Sequence, residues 1–247
     1  MARPLFHLKT VSPRALAWAG VGALVLDLAV AALLLGVAVA RWAPPQDLPW
    51  TPLRLDEPVG IATRAKFEAV AGDPARCRAV LAEGGVAFVE APARPDGACP
   101  TEGTLRLGPG ALPLSPARPT MTCPLALAYV FWTRHDVQPA ARAELGQPIS
   151  RIGHYGTFAC RNVYGRATGV RSEHAAANAL DVAAFRAASG TEIGVLRDFR
   201  GEDAEGRFLR RVRDGACRWF RATLSPDYNA AHADHLHLDR GRFAACR

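Results

Sequence analysis

The stretch "HADHLHLD", His232 to Asp239, holds three of the chain's seven histidines within six residues. Leu236 and Leu238 alternate with His235, His237 and Asp239. A period of two reads as a strand, with the leucines on one face and the imidazoles and carboxylate on the other. On such a strand the two imidazoles stand about 7 Å apart. Neutral imidazole is the commonest protein ligand for zinc-like metals. On its own, a His-x-His pair reads equally well as a polar strand face that happens to be histidine-rich.

A second segment adds chemistry. In "SEHAAANALDVAAF", Ser172 to Phe185, the second half also alternates. Ala179, Asp181 and Ala183 share one face, and Leu180, Val182 and Ala184 share an apolar, core-directed face. Small neighbours leave the Asp181 carboxylate approachable. His174 lies where the chain enters this strand. One histidine and one aspartate from here, with a histidine of the other strand, give two nitrogens and one oxygen. Catalytic zinc sites use three protein ligands and leave the fourth position to water or substrate. Such a site makes Zn²⁺ a strong Lewis acid.

Other residues fit less specific roles. Arg161 and Arg171 flank the motif and can grip a substrate carboxylate bidentately, although most arginines in so arginine-rich a chain are solvated. His135 and His154 are spare imidazoles. His135 ends a predicted helix, where a structural role is expected, and His154 lies in a glycine-bracketed loop that can border a cleft.

The elements that must position these residues come next. The chain has 247 residues and a formal net charge of +7, enough for one sizeable domain. Arginine carries the charge, with Lys9 and Lys66 the only lysines. No dense basic run interleaved with aromatics appears, which argues against a nucleic-acid partner. Residues 15–40 are apolar apart from Asp27 and long enough to span a bilayer. Arg3, Lys9 and Arg14 precede them, so residues 1–14 are expected in the cytoplasm and the remainder outside. Length favours an uncleaved inner-membrane anchor over a signal sequence, although Ala38-Val39-Ala40 resembles a cleavage site. The expected location is the periplasm, or the medium if the segment is cleaved. Six cysteines follow the apolar run; none has C-x-x-C spacing, so disulfides are expected rather than a Cys₄ zinc site.

Residues 41–59 hold five prolines and read as an extended spacer, reaching about 50 Å at proline-rich rise. The globular part is expected over 60–247. Asp73-Pro74 opens a helix that Gly84-Gly85 closes. "VAFVE" follows as a strand, "CPLALAYVFWTRH" as a buried helix, and "QPAARAEL" as a short helix ending at Gly146. "PISRIG" and "EIGVLRDF" read as strands, and "DAEGRFLRRVRDGACRWF" as a helix with an arginine outer face. Together these predict an α+β fold: a small antiparallel sheet carrying the metal site, flanking helices, disulfide staples and one N-terminal transmembrane helix.

The stretches "FACRN", "SEHAAANALDVAAF", "ACRWF", "LSPDYNAAHADHLHLD" and "AACR" resemble the bacterial extensin-like C-terminal domain family over roughly residues 60–247. Their motifs are similar to those of D-alanyl-D-alanine peptidases, murein endopeptidases and lysostaphin-type zinc enzymes, whose pattern is Ser-x-His-x-x-Gly-x-Ala-x-Asp followed by His-x-His. Ser172, His174, Ala179 and Asp181 match, and Ala177 replaces the glycine. The resemblance implies His174, Asp181 and His237 as ligands of one Zn²⁺, with Ser172 beside the substrate. It implies Asp234 as general base, with His235 as an alternative, and His232 as a further catalytic histidine. The implied activity is hydrolysis of D-amino-acid-containing peptide bonds in peptidoglycan; a non-catalytic wall-binding or structural envelope domain is the alternative.

Overall fold

The computed structural model describes residues 13–94 and 97–247. Arg3 and Lys9, which were expected to orient the N-terminal segment, lie outside the described residues. The apolar run forms helix α1, Pro13–Trp42. Its Gly20–Trp42 stretch is long and apolar enough to cross a membrane, with a mean hydropathy of 2.6 and none of its most apolar window buried.

The body begins earlier than residue 60. Leu53 and Leu55 join the core beside Phe67 and Leu81, and Leu48 is also buried. The Lys66 ammonium, on helix α2 (Thr63–Ala71), donates to the Pro45 carbonyl and Thr51 Oγ1, both at 3.0 Å. The Asp47 carboxylate accepts from the Ile61 amide at 2.7 Å. The proline-rich stretch is therefore docked rather than extended, because its leucines find a hydrophobic home.

Helix α3, Pro74–Glu83, starts as expected: Asp73 Oδ1 accepts from the Ala75 and Arg76 amides behind a first-turn proline. Strands β1 (Phe88–Glu90), β2 (Thr104–Leu107) and β4 (Met121–Thr122) form a small antiparallel sheet; β3 (Leu114–Ser115) belongs to the main one. Helix α4, Cys123–Trp132, is capped by Thr122 Oγ1 and buried throughout most of its length. It continues through a wide turn, Thr133–Val137, into α5, Gln138–Leu145, so the two expected helices are one rod. Gly146, at φ +69°, ends it in the left-handed conformation that glycine adopts freely.

The main sheet has seven strands. It contains β5 (Ile149–Gly156), β6 (Ala179–Ala187), β7 (Glu192–Gly194), β8 (Ala222–Leu224), β9 (Leu236–Asp239) and β10 (Ala245–Cys246), with β3 beside β5. Its pairings are antiparallel except at the two outer edges, β3–β5 and β10–β8. The long β6 pairs with β5 on one side; on the other, its first half pairs with β9 and its second half with β7. In chain order, helix α6 (Val195–Asp198) and helix α7 (Ala204–Ala216) lie between β7 and β8. The expected strand "EIGVLRDF" thus turns helical after Gly194. Asp198 Oδ2 accepts from the Gly194 amide at 2.8 Å and closes that turn.

One face of the sheet builds the core. Leu180, Val182, Leu236 and Leu238 are fully buried, together with Phe208, Leu209 and Val212 of α7. Burying each such side chain contributes about 1.5–3 kcal/mol. The Trp132 indole donates to the Val212 carbonyl at 2.8 Å and ties α4 to α7. The alternation in β6 slips at Ala183, where β6 carries one residue more than β5 between paired positions. Phe185 and Ala187, rather than Ala184, are consequently buried beyond the slip.

The six cysteines form Cys77–Cys123, Cys99–Cys160 and Cys217–Cys246. With sequence separations of 46, 61 and 29, loop-closure entropy gives each about 3.5–4.5 kcal/mol in the chain-entropy model.

Candidate metal centre

Strand register sets the first two residues of the site. In the β6–β9 ladder Asp181 lies directly opposite His237, between the apolar pairs Leu180–Leu238 and Val182–Leu236. Opposed residues share a face, so the buried leucines hold Asp181 and His237 together on the other one. A slip of one residue would send both polar groups into the core.

His174 arrives from the short 3₁₀ turn Glu173–Ala176 that precedes β6. Ser172 Oγ accepts from the His174 amide at 3.3 Å, so Ser172 caps this turn as well as lining the adjoining cleft. The turn reverses at Ala177, whose φ of +54° lies in the left-handed region. That conformation costs an alanine about 1–2 kcal/mol. It is held from both sides: the Ala177 amide donates to the His174 carbonyl, and the Ala177 carbonyl accepts from the Thr122 amide. The Asn178 side chain accepts from Thr122 Oγ1 at 2.7 Å and donates to Glu173 at 2.8 Å. Alanine is therefore held in a left-handed turn that glycine adopts more freely. Gly241 lies nearby, where an added Cβ would make the Glu173 side chain shift.

Ligand-type atoms of three residues converge, with Asp181 turning one carboxylate oxygen to each histidine. His174 Nε2 lies 3.2 Å from His237 Nδ1 and 3.1 Å from Asp181 Oδ2, and His237 Nδ1 lies 2.9 Å from Asp181 Oδ1. The set can hold a metal ion. A tetrahedral zinc with ligand bonds of about 2.0–2.1 Å needs neighbouring ligand atoms about 3.3 Å apart, and the His174–His237 separation and each histidine's contact with its own Asp181 oxygen are close to that. The other imidazole nitrogen of His237 donates to Asp239 Oδ2 at 3.1 Å, and Asp239 Oδ1 accepts from the Gly241 amide. This carboxylate–imidazole pair fixes the ring and its tautomer, as the outer partners of metal-bound histidines do.

The electrostatics match. Burial would raise the Asp181 pKa, but hydrogen bonds and charge from His174 and His237 overcome it and hold the carboxyl far below the usual range. Burial lowers the His237 pKa, yet its bonds to Asp181 and Asp239 push it up to about 9. A metal cation would replace the proton between these groups.

Two more histidines border the triad. His235 Nε2 lies 3.5 Å from Asp181 Oδ1, and His235 Nδ1 donates to Asp234 Oδ1 at 2.8 Å. Asp234 is half exposed and does not line the cleft; its pKa is held down by the His235 hydrogen bond. The structure thus places Asp234 behind His235 rather than at the triad. His232 is buried, with its ring 5.2 Å from that of His235 and 5.9 Å from that of His237. Asn229 Oδ1 accepts from the Ala231 amide, which fixes the amide orientation; the same oxygen accepts from His232 Nδ1 at 2.7 Å. His232 Nε2 is therefore the nitrogen with a free lone pair. Burial and the neighbouring imidazoles push its pKa down to about 4, so it is neutral at pH 7.

The triad lines a cleft of about 820 Å³. Arg161 and Arg171 line it too, exposed and without a carboxylate partner among the described residues. Sequence reasoning missed Arg242, Phe243, Tyr164 and Tyr228 in the same wall. These follow or precede the motif strands in loops, where no periodic signal marks them. His154 and His135 stay outside the cleft. His154 Nε2 donates to the Pro116 carbonyl, and His135 Nε2 to the Leu55 carbonyl, as a structural histidine would.

The family model described as "Extensin-like protein C-terminus" matches residues 75–247. No curated protein and no solved structure matches the chain. The chain belongs to the extensin-like C-terminal family.

Proposed function

We propose that this extensin-like chain is an exported, zinc-dependent peptidase that cleaves D-amino-acid-containing peptide bonds in peptidoglycan. The observation that carries the reading is the convergence of the His174 and His237 imidazoles on the two Asp181 carboxylate oxygens, at contacts of 2.9–3.2 Å, in the wall of a large cleft. Two imidazoles and one carboxylate make the donor set of a catalytic zinc site, with Asp239 as the outer partner. When bound, Zn²⁺ would supply Lewis acidity for the scissile carbonyl and make a nearby water acidic near pH ~7.

The remaining chemistry falls to the chain's own side chains. Asp234 holds the His235 Nδ1 proton, which leaves His235 Nε2 as the base at the edge of the triad. In this reading His235 takes the proton from the attacking water and returns it to the leaving amine, while Asp234 orients it. His232 stays neutral and offers Nε2 as an acceptor for a substrate N–H or a water. Arg161 and Arg171 bind substrate carboxylates. Export is supported by the three disulfides, which persist in oxidising compartments, and by α1, read here as an inner-membrane anchor that leaves the domain in the periplasm.

The test is digestion of purified cross-linked muropeptides with mass-spectrometric readout. The wild-type chain is expected to cleave them, chelation to stop it, and His174→Ala or His237→Ala to abolish both zinc retention and cleavage. A folded, zinc-loaded wild type that leaves every muropeptide intact would argue against a peptidase. A binding-only wall module is the second reading, favoured by the cleft arginines Arg161 and Arg171, which have no carboxylate partner among the described residues. It predicts muropeptide binding that survives the chelator, without turnover.

A further inference from the structure

We propose that the corner of the domain next to α1 rests in the surface of a phospholipid bilayer, so that the cleft works within a domain's reach of the membrane. This goes beyond the peptidase reading and is independent of the metal centre; it shares with that reading only α1 as an anchor.

The first observation is the ends of α1. Trp18 and Trp42 are 76% and 79% exposed, and at 1.5 Å per residue they lie about 36 Å apart along the helix. A hydrocarbon core is about 30 Å thick, and tryptophan concentrates at both of its interfaces. Trp42 then marks the level of the outer headgroups.

The second is the shortness of the connection. The docked part of the chain begins at Pro45, whose carbonyl accepts from Lys66. Three residues beyond Trp42 span at most about 11 Å even when fully extended. The domain therefore cannot swing away on a tether; the segment that starts its fold is held at the membrane surface.

The third is what that corner exposes. Trp50 is 65% exposed and Ile61 is 90% exposed, with Val59 partly exposed between them in sequence. These are not scattered. Ile61 is tied to Asp47 through its amide, and Thr51 donates to the carbonyl of Leu48. The turn bearing Trp50 and the loop bearing Ile61 thus belong to one local structure. A lone exposed apolar residue needs no explanation, but a cluster beside an apolar helix end does. Tryptophan, with an apolar body and a polar N–H, suits the headgroup boundary.

Charge selects the kind of lipid contact. Arg54 pairs with Asp56 and Glu57, and Arg64 pairs with Glu68. The corner is nearly neutral, so its contact with lipid is interfacial burial of apolar side chains rather than attraction to anionic headgroups. It should persist on zwitterionic bilayers and at high salt. A domain of about 200 residues is roughly 40 Å across, which limits the cleft to targets close to the bilayer.

The experiment uses the full chain carrying Trp18→Phe and Trp42→Phe, reconstituted in phosphatidylcholine vesicles whose acyl chains are brominated near the headgroup. Trp132 and Trp219 are buried in the core and serve as an internal control for folding. Trp50 should be quenched by bromine by at least half, at low and at 1 M salt. Adding Trp50→Phe should remove the quenched component, and Ile61→Asp should weaken the quenching severalfold while the core tryptophan emission stays unchanged. A Trp50 that ignores bromine yet is freely quenched by aqueous acrylamide would overturn the proposal. A Trp50 shielded from both quenchers would also overturn it, pointing to a protein partner on this corner.

Discussion

Two places in this protein set histidine and aspartate beside a concavity, and they differ in how their polar atoms are used. At the β6–β9 strand pair, His174, Asp181 and His237 bring one ligand-type atom each within 4.8 Å of the others beside a cleft of about 820 Å³. At the turn between α4 and α5, His135 and Asp136 border a smaller concavity of about 320 Å³. There every group has a local complement. His135 stacks on Phe131 and donates to the Leu55 carbonyl. Asp136 accepts from the Trp219 indole at 2.6 Å and pairs with Arg218. The first cluster is satisfied largely within itself, its ligand-type atoms facing one another beside the cleft; the second is consumed in holding helices together. Residue type alone does not distinguish them, whereas the destination of each polar atom does.

The sharpest contrast between the regions is catalytic. His235→Ala is expected to lower muropeptide turnover by about 10²–10⁴-fold, the range of a general base, while zinc content and thermal stability stay near wild type. Asp234→Asn should cost less, because it removes only the group that orients the base. Loss of zinc in His235→Ala would instead make His235 a ligand.

Asp136→Ala should do the reverse. It leaves the buried Trp219 N–H and the half-exposed Arg218 without their acceptor, and a loss of about 2–3 kcal/mol follows. Denaturant titration measures that loss, and metal analysis of the folded fraction should show unchanged zinc. An Asp136→Ala chain that keeps its stability but loses zinc would erase the distinction between the two regions.

The smallest effect tests the outer partner. Asp239→Asn keeps the shape but exchanges the carboxylate that accepts from His237 for an amide. Zinc affinity should fall about 10–100-fold, read by competition with a chromophoric chelator. An unchanged affinity would mean that the His237 ring is oriented by something other than Asp239.

Much of this site was legible in the sequence because strand periodicity is a local signal. The alternation of Leu236 and Leu238 with His235 and His237 fixed which face each occupies, and the same rule in β6 placed Asp181. The slip at Ala183 was invisible, because two consecutive small residues fit either face. The proline-rich stretch misled for a different reason. Prolines report backbone stiffness, but docking was decided by Leu53 and Leu55, which join one core cluster with residues of α2, α3 and α4. The helical turn after Gly194 depends on the Asp198 carboxylate closing back on an amide, which competes with the strand preference of Ile193 and Val195. Arg242, Phe243 and Tyr164 reach the cleft through loops, so only tertiary structure brings them to it. The disulfide partners likewise follow from the fold, since an even count leaves the connectivity open.

The central claim is that one ion sits among two imidazoles and a carboxylate. Zinc K-edge X-ray absorption on the purified, folded chain tests it directly. The account predicts one zinc per chain, with a first shell of nitrogen and oxygen at about 2.0–2.2 Å and the scattering of two histidine rings, reduced to one ring or lost in His237→Ala. A chain without stoichiometric zinc, or a first shell unchanged by His237→Ala, would contradict it.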